Sequence, residues 1–218
     1  MKRVLVIGVV LFLAVLVQAQ QDQKAKEILD KVSENTRSFK TISADFSFSM
    51  QNKELEIDEK NEGSIKLKGQ KYCVNLPDVN GGIKVFSDGN TLWNYMANGN
   101  QVTISDLEEE SSDLMDPSSI FTIYERGFKS EFVAEKKMDA KTVYQINLFP
   151  DSDEHDVSKI EVSIDKANMT IYSATLYGTD GNLYVIIVNK MTTNKEFPDS
   201  DFIFNKSEYG DVEEIDFR

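Results

Sequence analysis

Few side chains in this sequence could do covalent or acid–base chemistry. There is one histidine, His155, and one cysteine, Cys73. A thiol becomes a nucleophile when an imidazole takes its proton, but these two are distant in the chain and no motif surrounds either. Zinc sites built from paired His or Cys ligands cannot be assembled from such an inventory. His155 sits in the polar run PDSDEHD, read as a solvated loop, and Cys73 in the strand-like KYCVNL, read as a small packed residue. With one cysteine no intrachain disulfide can form. Carboxylates are plentiful, 37 Asp and Glu in all. Their two clusters, Asp106 to Asp116 and Asp151 to Asp156, lack the one-three-five spacing with glycine at six that marks a calcium loop. Nothing singles out a carboxylate pair for sugar cleavage. The GxSxG elbow, the phosphate loop and the dinucleotide fingerprint are all absent. The residues point away from an enzyme and call for no cofactor or metal.

The N-terminus is more specific. Lys2 and Arg3 precede an apolar run from Val4 to Val17, and Val17-Gln18-Ala19 offers small residues for cleavage. This is the three-part pattern of a secretory signal peptide. The run is shorter than the roughly 20 residues needed to span a bilayer. Residues 1–19 are therefore expected to be removed, leaving 20–218 as one domain in the periplasm of a bacterial envelope. The net charge of −13 repels phosphate backbones and makes nucleic acid a poor partner.

Beyond the leader, Ala25, Ile28, Leu29 and Val32 recur at helical spacing, which predicts an amphipathic helix over 24–36, with Asp22 as its N-cap. From Ser43 the period becomes two, and Ala44, Phe46, Phe48 and Met50 share one strand face. Further strands are predicted at Gly63 to Lys68, Tyr72 to Leu76, Ile83 to Phe86, Thr91 to Met96 and Gln101 to Ile104. Five more follow at 129–136, 142–149, 157–164, 170–177 and 183–190. Asp88-Gly89, Asn98-Gly99 and Asp180-Gly181 are hairpin dipeptides, so the expected arrangement is an antiparallel meander that curls to hide its edges. Pro117 to Arg126 reads as a short greasy helix after an acidic stretch. It would either plug one end of the sheet or act as a lid.

What the composition offers is apolar surface: thirteen Phe, eight Tyr, seven Met and one Trp. Leu183 to Val188 shows no polar alternation, so that strand must be covered on both sides. The cover could be packed helices, or it could be a ligand on an apolar face.

In order along the chain, the opening helix, the strand ISADFSFSMQ, the Gly-led strand EGSIKLKG, the segment VFSDGNTLWNY, the apolar SSIFTIYE and the closing DVEEIDFR resemble the outer-membrane lipoprotein carrier family, the LolA-like periplasmic chaperones. The resemblance implies an α+β fold, mainly β with a few helices. Its core would be a curved, half-open antiparallel barrel with an N-terminal helix and a short helical lid. It also implies an apolar cavity for the acyl chains of lipoproteins. Expected lining residues are Phe46, Phe48, Met50, Ile65, Leu67, Trp93 and Tyr95, with Ile120, Phe121 and Tyr124 on the lid. Implied partners are acylated lipoproteins or lipids, an inner-membrane lipoprotein-release transporter and an outer-membrane acceptor, served by a monomer. Related half-barrels act as envelope-stress sensors, which is the alternative reading. The chain departs from the family at Gly69-Gln70, where many members carry Arg-Pro, and that arginine helps to hold the lid shut.

Overall fold

The structure is a computed structural model and describes residues 21–107, 127–152 and 155–218. Among the described residues one α-helix, α1, occupies 21–38. Ala25, Ile28, Leu29 and Val32 are its buried stripe, and Gln23–Glu27 and Lys26–Asp30 pair four residues apart on its wet side. Asp22 lies inside the helix and does not cap it. Twelve strands follow: β1 (Ile42–Asn52), β2 (Ile57–Lys68), β3 (Lys71–Leu76), β4 (Ile83–Ser87), β5 (Thr91–Met96), β6 (Gln101–Asp106), β7 (Phe128–Met138), β8 (Lys141–Pro150), β9 (Val157–Asp165), β10 (Thr170–Gly178), β11 (Leu183–Thr193) and β12 (Glu213–Asp216). Each strand expected from alternation is present. The predicted helix Pro117 to Arg126 lies outside the described residues.

All twelve strands form one sheet, in the order β12-β6-β5-β4-β3-β2-β1-β11-β10-β9-β8-β7. Two antiparallel meanders, β1–β6 and β7–β11, are joined through β1 and β11, which pair from Ile42–Thr193 to Gln51–Leu183. The hairpin dipeptides act as expected at Gly89 (φ 97°) and Gly181 (φ 84°), conformations that glycine reaches without Cβ strain.

The expected curved, half-open antiparallel barrel is overturned on two counts. The sheet is neither closed nor strongly curled, since β12 and β7 are its free ends and do not pair with each other. It is also mixed, because β12 runs parallel to β6 from Glu213–Gln101 to Asp216–Ile104. The physical reason is cover. A sheet whose faces are buried by other segments has no need to curl on itself to hide apolar residues. Here α1 lies on one face, called inner, and the chain after β11 lies on the other, called outer.

Cross-strand register defines the inner face. Phe132, Ile146, Val162, Ala174, Ile186 and Phe48 stand directly opposite one another across β7, β8, β9, β10, β11 and β1. The buried stripe of α1 shares one core cluster with the first four of these, and with Leu148, Ile160, Ile164 and Leu176. Burying each large aliphatic side chain contributes about 1.5–3 kcal/mol. The helix is also tied at both ends. Lys24 Nζ sits 3.6 Å from the centroid of Phe132. Near the C-terminus, Asn35 Nδ2 donates to the carbonyls of Asn168 and Met169 at 2.8 and 3.1 Å.

Those carbonyls belong to the β9–β10 turn, which Asp165 organises. Asp165 is 3% exposed, and its carboxylate accepts from Lys141, the Ala167 N–H and Asn168 Nδ2. Burial alone would push this carboxyl up, but the three donors outweigh it and hold it below the ordinary carboxylate range. Because the folded pKa is depressed, the stabilisation is complete above the unfolded value near 3.8 and drains away as pH falls through the folded one. Asp165→Ala should cost roughly 1–3 kcal/mol at neutral pH, read by urea unfolding, and the gap from wild type should narrow below about pH 4. A gap that stays constant down to acid pH would show that the carboxylate does not carry the effect.

Candidate apolar binding face

The inner face of β1 to β6 is an apolar field that runs out beyond α1. In one row Met191, Ala44, Ile65, Val74 and Val85 stand opposite each other on β11, β1, β2, β3 and β4. In the next, Ile42, Leu67, Tyr72, Ser87 and Leu92 do the same from β1 to β5. Taken over β1 to β6, β10 and β11, Glu59 is the only charged side chain on this face. Charges on the same strands collect on the outer face instead, among them Asp45, Glu62, Lys66, Lys84 and Lys190. Period-two geometry makes that partition complete, because a one-residue slip would exchange the two sets.

The field grades from packed to partly open. Phe46 and Ile65 are core, at 7% and 2% exposure. Phe48, Leu67, Leu76, Val85, Tyr184, Ile186 and Met191 are half-buried against that core, as are Met50 and Ile83 nearby. Phe48 and Tyr184 stack at 6.2 Å. Tyr184 Oη accepts from Asn182 Nδ2, and Asn182 Oδ1 accepts from the buried Asn52. Gly63 belongs to the same floor. A Cβ there would fall 2.6 Å from both Phe46 Cζ and Leu76 Cδ2, so the missing side chain lets two apolar neighbours close over the strand. That is a packing reason for the glycine leading this strand.

Five of the expected lining residues, Phe46, Phe48, Met50, Ile65 and Leu67, therefore share one face. Trp93 and Tyr95 do not join them. Trp93 stands opposite Phe86 and Ile104, and Phe86 opposite Cys73, all on the outer face. Ile120, Phe121 and Tyr124 lie outside the described residues. Tyr184 and Ile186 from β11, whose unbroken apolar run was the available signal, share this face without having been expected there, as do Leu76, Ile83 and Val85 from β3 and β4.

The outer face of β2 to β6 is occupied by the chain's own C-terminal segment. Lys66 pairs with Asp201 at 2.8 Å, while Lys68 and Lys71 both reach Asp199. Those two lysines hold the Asp199 carboxyl down at about 2. Phe204 packs on Phe86 and Tyr95, and Tyr209 on Tyr95. Phe202 is fully buried. Cys73 is half-buried on this side, and burial pushes its thiol up despite Lys66 and Lys84, in keeping with an unreactive packed residue. His155 rests against the Phe128 ring at 4.8 Å and is not a freely solvated loop residue. The departure from the family at Gly69 also has a local meaning. It makes the β2–β3 turn at φ 59°, a conformation that costs a residue with a Cβ. Among the described residues no group of three His, Cys, Asp or Glu could hold a metal.

Residues 37–205 match the family described as outer membrane lipoprotein carrier protein LolA. The chain belongs to that family. Its members are periplasmic carriers without catalytic chemistry. No curated protein matches it. Among solved structures, an uncharacterized conserved protein from Thermus thermophilus is similar at 14% identity and a TM-score of 0.59, over 88% of this chain and 99% of that one. This likeness shows the fold. Lipoprotein LppX from Mycobacterium tuberculosis matches at 10% identity and TM-score 0.49, over 79% and 98% of the two chains. A LolA superfamily protein from Nitrosomonas europaea matches at 14% and 0.45, over 83% and 97%.

The Gly63 contact is directly testable. Gly63→Val should force Phe46 and Leu76 apart and cost roughly 1–3 kcal/mol in chemical denaturation, the usual penalty of overpacking. Pairing Gly63→Val with Phe46→Leu should recover part of that loss. No recovery would mean that the glycine is kept for the backbone and not for the two side chains.

Proposed function

We propose that this protein is a lipid-binding module of the bacterial envelope, and that its inner sheet face receives the acyl chains of lipoproteins or lipids. The observation that carries the reading is the charge partition. In a chain with 28% charged residues, chance would scatter charges over both faces of β1 to β6. A field with only Glu59 on it favours hydrocarbon, and each methylene buried there is worth about 0.8 kcal/mol. Phe48, Met50, Ile83 and Ile186 are its half-open part, so they are the residues a guest would meet.

Within this reading, the narrower activity is carriage of lipoproteins from an inner-membrane transporter to an outer-membrane acceptor; the description of the matched family, an outer membrane lipoprotein carrier, supports only the carriage. A single domain at 20–218, released after cleavage of residues 1–19, is the form in which it would act. The other reading is an interaction module that binds lipid and reports on the state of the envelope without moving cargo.

Titration of the delipidated mature protein with a fluorescent C16 fatty acid and with a palmitoylated peptide tests the binding. Phe48→Ala should weaken both by about tenfold, the order expected for losing one aromatic contact with hydrocarbon. Met50→Asp should do so more strongly, and β-sheet circular dichroism should stay unchanged. Absence of binding by the wild type, or equal binding by both variants, would sink the proposal. Transfer of the bound peptide to acceptor vesicles would favour the carrier, and retention the reporting module.

A further inference from the structure

Among the described residues, one buried side-chain oxygen on the inner face of β1 to β6 has no hydrogen-bond partner. Ser105 is 4% exposed, and its Oγ has no hydrogen-bond partner among the described residues. Its position follows from register: Ser105 stands opposite Leu92, Leu92 opposite Ser87, and Ser87 opposite Tyr72. It therefore closes, on β6, the same row that begins at Ile42. The contrast with Ser87 is informative. That hydroxyl is buried too, but it accepts from the Gly89 N–H at 3.2 Å. Most buried side-chain hydroxyls find such a partner, and one left without costs about 1–3 kcal/mol.

The surroundings decide what could satisfy it. A serine hydroxyl has one proton to donate and lone pairs that accept. No Lys or Arg lies on the inner face of β1 to β6, and the chain as a whole carries −13. A carboxylate or phosphate would therefore arrive without a counter-charge, which is costly in an apolar setting. An ammonium group would need a carboxylate, and Glu59 belongs to the far corner of the field, opposite Met50. That leaves an uncharged acceptor attached to hydrocarbon. We infer that Ser105 Oγ donates to the ester carbonyl of an acyl chain that enters over the half-buried Val85, so that the face selects acyl esters over free fatty acids. The inference rests on the lipid-binding reading above and names the chemistry of its guest.

Three ligands separate the possibilities on the intact mature protein: monopalmitoylglycerol, its ether analogue 1-O-hexadecylglycerol, and free palmitate. The ester and the ether differ by the carbonyl oxygen alone. Wild type should bind the ester about tenfold more tightly than the ether, the order of one buried hydrogen bond. Ser105→Ala should remove that preference while leaving ether affinity unchanged, and Ser105→Thr should keep it. Ser105→Ala should also unfold no earlier than wild type, because deleting an unsatisfied hydroxyl is neutral or stabilising. A Ser105→Ala variant that still prefers the ester overturns the inference, as does palmitate outbinding the ester in a Ser105-dependent way. Wild type ignoring both ester and ether would instead bring down the lipid-binding reading itself.

Discussion

Everything in this molecule depends on how a wide, open sheet keeps its apolar residues out of water. The inner face solves half of the problem with α1, whose stripe of Ala25, Ile28, Leu29 and Val32 joins Ile146, Val162 and Ala174 in one core. That contact is non-directional and would by itself tolerate sliding. Lys24 over Phe132 and Asn35 on the β9–β10 turn supply the direction. The turn can serve as an anchor because the Asp165 carboxylate holds its shape.

The outer face solves the other half with the chain's own end. The segment after β11 crosses β2 to β6 on Phe197, Phe202, Phe204 and Tyr209, and is held by Lys66, Lys68 and Lys71 reaching Asp199 and Asp201. It then adds β12 in parallel beside β6. That addition is topologically cheap, because the long crossing of the outer face is itself the connection a parallel pair needs. The new edge is short and carries Glu213, Glu214 and Asp216, which discourages further strands from pairing there.

With both faces accounted for in this way, the half-buried field on β1 to β5 stands out. The proposed binding role needs a surface that accepts hydrocarbon and carries little charge. Strand alternation supplies one by sending charges such as Asp45, Glu62, Lys66 and Lys84 to the opposite side. Among the described residues Ser105 has the one buried hydroxyl without a partner, and the selectivity proposed above rests on it.

Local pattern was enough to read each strand of the two meanders, the hairpin turns and the apolar helix stripe, because periods of 2 and 3.6 are written in neighbouring residues. It was enough, too, to group Phe46, Phe48 and Met50, which share a strand. It could not say that Trp93 and Tyr95 belong to the other face, since Trp93 acquires its side only through the register that sets it against Phe86 and Ile104. Nor could it foresee an open sheet with a parallel twelfth strand. Whether a sheet curls or stays open depends on what covers it, and the cover comes from residues 197–212, far along the chain. The single histidine, the single cysteine and the supply of Phe, Tyr and Met were properties of the sequence by itself. Which face is apolar, how much of it stays open and where its polar point lies were decided by tertiary structure, because each is a relation between strands and not a property of any one.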